Sequence, residues 1–209
     1  MMSLWKQRHL ANWLGEHSWE FDGEQGMLKF PQAAVSAQLL GEERGTVWHW
    51  AWDMPDVPEA QRATAAKLRE FGEQQGVEEF TVSKIPLERV SGHLLALTSL
   101  GVLHKSAYYR AVFPERALLL VLEDEALPPL SPPPMTRFLS TVADAIQNYE
   151  FRNHKQALSC FVQQLGWEPQ WEGQKLTLVD DQGIVGLASF DEHDRLASFK
   201  TRQPEASLG

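Results

Sequence analysis

The 209-residue chain has one cysteine, Cys160, so it can neither close an intramolecular disulfide nor build a cysteine-rich zinc site. It also has no apolar run approaching the ~20 residues that cross a bilayer; the longest is Ala117 to Leu122. The opening Met-Met-Ser-Leu-Trp-Lys-Gln-Arg-His has no apolar core of the kind a secretory signal carries. These absences predict a protein of the reducing cytoplasm with no membrane partner. Positive charge is scarce as well. Against 28 Asp and Glu there are 19 Lys and Arg, a net charge of -9, and such a field repels phosphate backbones, so no nucleic-acid partner is expected. There is no Gly-x-Ser-x-Gly elbow, phosphate-cradling glycine loop, dinucleotide fingerprint or His-Glu-x-x-His. No cofactor, no metal and no catalytic residue is therefore assigned. What is present is ample core material, with 43% hydrophobic and 22% charged residues, which predicts a folded domain and not a disordered chain.

The sharpest break in composition is Glu123-Asp-Glu-Ala-Leu-Pro-Pro-Leu-Ser-Pro-Pro-Pro134, where prolines favour extended polyproline II geometry. It predicts an α+β domain over 1–124, a proline-rich linker over 125–134 and a smaller α+β unit over 135–209. In the first part, Leu4–His17 has helical spacing. Trp19–Phe21 and Met27–Phe30 flank a turn, and Ala33–Leu40 and Thr46–Asp53 read as strands separated by Gly41-Glu-Glu-Arg-Gly45. Pro58 to Gln75 reads as a helix closed by Gly76. Pro86 is expected to open a further helix that runs to Gly101. Ser106–Phe113 and Ala117–Leu122 complete an antiparallel sheet packed by helices. In the second part, Met135–Tyr149 and a helix capped by Asn153 precede four short strands, a helix pair plus an antiparallel meander.

Eight tryptophans stand out, and Trp48, Trp50 and Trp52 recur at period two, which in a strand aims all three indoles at one face. They read either as core beneath the Pro58–Gln75 helix or as walls of a partly open aromatic pocket. The strings Gln38-Leu-Leu-Gly41, Gly45-Thr-Val-Trp48-His-Trp50-Ala-Trp52, Phe71-Gly-Glu73 and Ala107-Tyr-Tyr-Arg110 resemble a bacterial family of uncharacterised proteins, a domain of unknown function with a Gly-Thr-x-Trp-x-Trp-x-Trp strand. The resemblance spans Trp19 to Leu122. It implies a fold boundary near the end of the first part and brings no activity with it.

If the strand's second face is open, His49 with Tyr108 and Arg110 from a neighbouring strand would line an anion-accepting pocket beside Trp48, Trp50 and Trp52. Asp180-Asp181 and Asp191-Glu-His-Asp194 gather carboxylates but fit turn chemistry better than any calcium loop. Cys160 reads as a small core residue of its helix. His93 and His104 are expected near helix ends. The composition favours a non-catalytic binding protein that docks a protein partner in the manner of small immunity-type inhibitors. The alternative is a small-ligand pocket or cryptic enzyme between the Trp strand and the Tyr108/Arg110 strand. Exposed strand edges on a two-part chain also suit a homodimer.

Overall fold

The computed structural model describes residues 1–105, 107–122, 127 and 129–202; part of the expected linker, residues 125, 126 and 128, lies outside them. The chain divides into two compact units, Lys6–Pro129 and Met1–Trp5 with Leu130–Gly209. Both are α+β with antiparallel sheets. No helix among the described residues is long and apolar enough to cross a membrane.

The larger unit is built on a seven-stranded sheet. Helix α1 (Met2–Leu14) precedes the hairpin β1 (Glu20–Asp22) and β2 (Met27–Phe30). Its turn is held by the Asp22 carboxylate, which accepts from the Glu24 and Gln25 amides at 3.1 and 3.0 Å. Strand β3 (Ala33–Arg44) runs four residues beyond the expected end at Leu40. It runs straight through the Gly41–Gly45 string that the sequence suggests as a separator, taking a bulge between Leu39 and Gly41. The turn sits at Gly45-Thr46, where Gly45 adopts φ 58° and Arg44 pairs with Val47 of β4 (Val47–Trp50).

β4 is correspondingly short, because Ala51–Asp53 winds into a 3₁₀ turn and ends the strand before Trp52. Helix α2 (Glu59–Gln75) follows Pro58 and stops at Gly76, whose φ of 68° supplies the left-handed cap. A one-turn helix α3 (Glu78–Thr81) and strand β5 (Lys84–Pro86), neither anticipated, come next. Pro86 therefore ends a strand and does not open a helix. The helix α4 (Gly92–Leu103) begins at Ser91, whose hydroxyl accepts from the Leu94 amide at 3.2 Å. Strands β6 (Ala107–Val112) and β7 (Arg116–Leu122) close the unit, β7 pairing with β3.

Residues paired directly across antiparallel strands share a face. One face of the sheet carries Leu28, Phe30, Val35, Ala37, Leu39, Leu118, Leu120 and Leu122, buried together with Leu10 and Leu14 of α1. The other carries Trp48, Trp50, Ile85 and Leu119, all buried.

In the smaller unit, α5 (Met135–Asn148) and α6 (His154–Gln164) pack on a four-stranded meander, β8 (Gln170–Glu172), β9 (Lys175–Val179), β10 (Val185–Phe190) and β11 (Leu196–Arg202). Phe138 stacks on Phe161 at 5.1 Å within a core that includes Met135, Val142, Leu158, Val162, Leu176 and Leu178. Asn153 caps α6 by accepting from the Gln156 amide at 2.7 Å. Cys160 is exposed and not a core residue, because Leu158, Phe161 and Val162 take the inward face and the helical period turns position 160 away.

The acidic runs of this unit serve its turns. Asp180, which is buried, accepts from the Gln182, Ile184 and Met135 amides, the last at the start of α5. Asp191 accepts from the His193 and Arg195 amides at 2.9 and 2.8 Å. The Arg195 amide bond, with smaller help from its other partners, holds the Asp191 carboxyl below its ordinary value despite some opposing desolvation. On the facing helix, His154 Nδ1 accepts from the Leu196 amide at 3.1 Å. Its pKa is lowered, by burial first and by the Arg195 charge second.

Both shifts make this unit acid-sensitive. A depressed histidine contributes stability that is present above about pH 6.5 and disappears as pH falls through its folded value. A depressed carboxylate does the same below about pH 3.8. We expect the thermal midpoint to fall between pH 7 and pH 5 in the wild type and to change less over that range in His154→Asn. Equal pH slopes for the two proteins would refute the assignment.

Candidate functional site

The register decides which of the sequence-predicted residues meet. Glu42 pairs with His49 and with Leu118, and His49 pairs with Lys84, so these share one face. Gly41 pairs with Trp50 and with Leu119, Glu43 with Trp48 and Ala117, and Arg110 with Leu119, so Trp48, Trp50, Tyr108 and Arg110 share the other. His49 is thus separated by the thickness of the sheet from Tyr108 and Arg110, and the three do not line one pocket. Trp48 and Trp50 are both 0% exposed. Their rings meet edge to face at 5.1 Å, and Trp50 meets Phe80 of α3 at 5.7 Å while its indole N–H donates to the Glu79 carbonyl at 2.9 Å.

Trp52 departs from the common face expected for the triplet, since the 3₁₀ turn carries it off the strand. It is partly buried against the α1-side core, and α2 lays the Arg69 guanidinium over its ring at 4.8 Å. Phe80 thus packs directly on Trp50. The alanine face of α2 contributes Ala65 to the other core cluster, which Trp52 flanks.

What the sheet does assemble lies at its β3–β4 and β6–β7 hairpin end. Glu42 and Glu43 are adjacent in β3 and so point to opposite faces. Glu42, 5% exposed, takes Arg44 at 2.9 Å and Arg116 at 3.5 Å. Glu43 takes Arg110, whose Nε lies 2.9 Å from Oε2, and abuts Gly92 in the first turn of α4. The positive end of the α4 dipole and a guanidinium thus converge on one protein carboxylate, so the anion-binding potential there is met internally.

The histidine that joins Tyr108 is His93 and not His49, its Nδ1 hydrogen-bonded to the buried Tyr108 hydroxyl. His93 stands in the first turn of α4, where a cation is disfavoured. His104 caps the opposite end at φ 54°. The three arginine side chains stay 46% to 60% exposed. They border two clefts of about 580 and 410 Å³, the first lined by Arg44, Phe113, Pro114, Glu115 and Arg116, the second reaching Leu87, Ser91, Arg110 and Val112. Arg116 also rides over the Phe113 ring at 5.5 Å.

Glu42, Glu43, Arg44 and Arg116 were not singled out by the sequence, and His93 was singled out only as a histidine near a helix end. The signal available was the doublet Glu42-Glu43, which in a strand must present one carboxylate to each face.

In comparisons with known proteins, residues 1–125 match the model of a family described as a family of unknown function. No curated protein and no solved structure matches the chain.

Proposed function

We propose, from the premise that the chain belongs to the family of unknown function DUF6882, that it is a non-catalytic cytoplasmic binding protein. It docks an acidic protein partner on the arginine-bearing end of its seven-stranded sheet. The observation that carries this reading is the trio Arg44, Arg110 and Arg116, each tethered by a buried or nearly buried glutamate.

Tethering removes rotamer freedom before binding, so less ordering cost falls on association. Arginine and aromatic residues in combination are typical of the few side chains that dominate interface energies, and Phe113 and Pro114 border the same clefts. The net charge of -9 repels an acidic partner at long range. At contact, screening over about 8–10 Å leaves the exposed guanidinium groups of the three arginines to decide orientation and specificity.

The test is co-purification with quantitative mass spectrometry from gentle lysates of cells expressing wild type or the R44E/R116E pair. A partner recovered with the wild type, depleted with the variant and lost in high salt is the expected result. Equal recovery with a variant that remains folded by circular dichroism would overturn the reading.

A further inference from the structure

We infer that β6 accepts an extended acidic segment of the partner as an added strand, through the outward-facing peptide groups of Arg110 and Val112. The inference rests on the arginine-end reading above and specifies how the partner is held.

Among the described residues β6 pairs only with β7, which makes it an edge of the sheet. The Phe113 amide donates to the Arg116 carbonyl at 2.8 Å and so points into the hairpin. Peptide groups alternate in direction along a strand, so those of Val112, Arg110 and Tyr108 point away from β7. The Tyr108 pair confirms the direction. Gln7 of α1 donates from its side-chain amide to the Tyr108 carbonyl at 2.9 Å and accepts from the Tyr108 amide at 3.2 Å. One bond given and one taken is what a peptide of a neighbouring strand would supply. Gln7 thus acts as a one-residue substitute for such a strand, and Lys6 adds a bond to the Lys105 carbonyl at 3.2 Å.

Gln7 reaches only Tyr108. The same outward pair recurs at Arg110 and Val112, and among the described residues no partner takes it. An unpaired edge is a ready template for strand addition unless something blunts it. Val112 leaves 57% of its surface exposed, and the cleft of about 410 Å³ beside it, bordered by Leu87 and Ser91, has room for the side chains of an added strand. The charges along this edge are Lys6, Lys105, Arg110 and Arg116 against Glu115, Glu43, which holds Arg110, and Glu42, which holds Arg116, an excess of positive charge that the two lysines supply. Charge complementarity therefore selects an acidic segment.

The test pans a phage-displayed random dodecapeptide library on the full chain. The best peptide is synthesised with a fluorescent label and measured by anisotropy on wild type, R44E/R116E and Val112→Pro. Proline at 112 deletes an outward donor and no bond to β7. Selected peptides should carry Asp or Glu at alternate positions. Affinity should fall at least about tenfold on Val112→Pro and when the peptide backbone is N-methylated at alternate residues. The Arg110 and Val112 amides should exchange more slowly in the complex.

Strand addition is overturned if no peptide is enriched over background, or if affinity for Val112→Pro stays within about twofold of wild type. Binding lost on R44E/R116E but kept on Val112→Pro would sink strand addition alone and leave the arginine docking surface standing. Binding kept on both would sink both. The N-methylated peptide provides the same discrimination without altering the protein, should Val112→Pro fail to fold.

Discussion

Replacing Trp50 with alanine is expected to destabilise the Lys6–Pro129 unit by about 3–5 kcal/mol, the range for emptying a fully buried large aromatic site. Three losses combine there. The ring is 0% exposed and contacts Trp48 and Phe80, so its removal leaves a cavity and breaks two edge-to-face pairs. The Glu79 carbonyl loses the indole N–H that now satisfies it at 2.9 Å. α3, a single turn, loses the contact that pins it to the sheet. Trp52→Ala should cost much less, because that ring is only partly buried and one of its faces is covered by the mobile-stemmed Arg69. Denaturant titrations of W50A and W52A followed by circular dichroism would compare them directly. A W52A loss equal to or greater than that of W50A would show that the triplet works as one stripe after all.

This contrast shows which parts of the chain are readable locally. Helix α2 was legible because Pro58 and Gly76 are terminal signals carried within the segment itself, and Asn153 did the same for α6. The hairpin turn at Asp22 was legible for the same reason. Pro86 misled because the residue is equally at home at the end of an edge strand, and only its pairing with Val47 distinguishes the two uses.

The end of β4 is another kind of failure. Nothing in Trp48-His-Trp50-Ala-Trp52 forbids the alternation from continuing, and the 3₁₀ turn at Ala51 is imposed by packing, where Ala51 is fully buried. The site was harder still. That Tyr108 and Arg110 share a face follows from their spacing. Which face His49 takes relative to them depends on a bulge in β3 and on the β3–β7 register, links between residues as far apart in sequence as Ala37 and Leu122 that no local pattern records. Likewise Glu42 and Glu43 looked like turn residues because glycines bracket them, whereas their partners Arg110 and Arg116 lie far downstream.

Gly41 carries the second large effect. It sits mid-strand at the bulge, where glycine costs stability, and a side chain there would have nowhere to go. A Cβ built at Gly41 would overlap the Trp48 ring at Cζ2 and lie 2.5 Å from the His49 carbonyl oxygen. Neither neighbour can yield cheaply. Trp48 is 0% exposed and wedged against Trp50, and the His49 carbonyl belongs to the strand hydrogen-bonded to β3 itself.

Gly41→Ala is therefore expected to cost at least the upper part of the ~1–3 kcal/mol typical of overpacking, and Gly41→Val more. Gly45→Ala is a control of a different kind. No atom lies within 4 Å of its Cβ position, so its cost is confined to the φ of 58°. Trp48→Leu in the Gly41→Ala background should recover part of the loss and no more, because it relieves the ring and leaves the carbonyl. Thermal midpoints of the four proteins would settle the matter. A Gly41→Ala midpoint at or above that of Gly45→Ala would mean that the β3–β4 ladder relaxes around the methyl group, and that Gly41 is not what lets the Trp48 ring lie flat against the sheet.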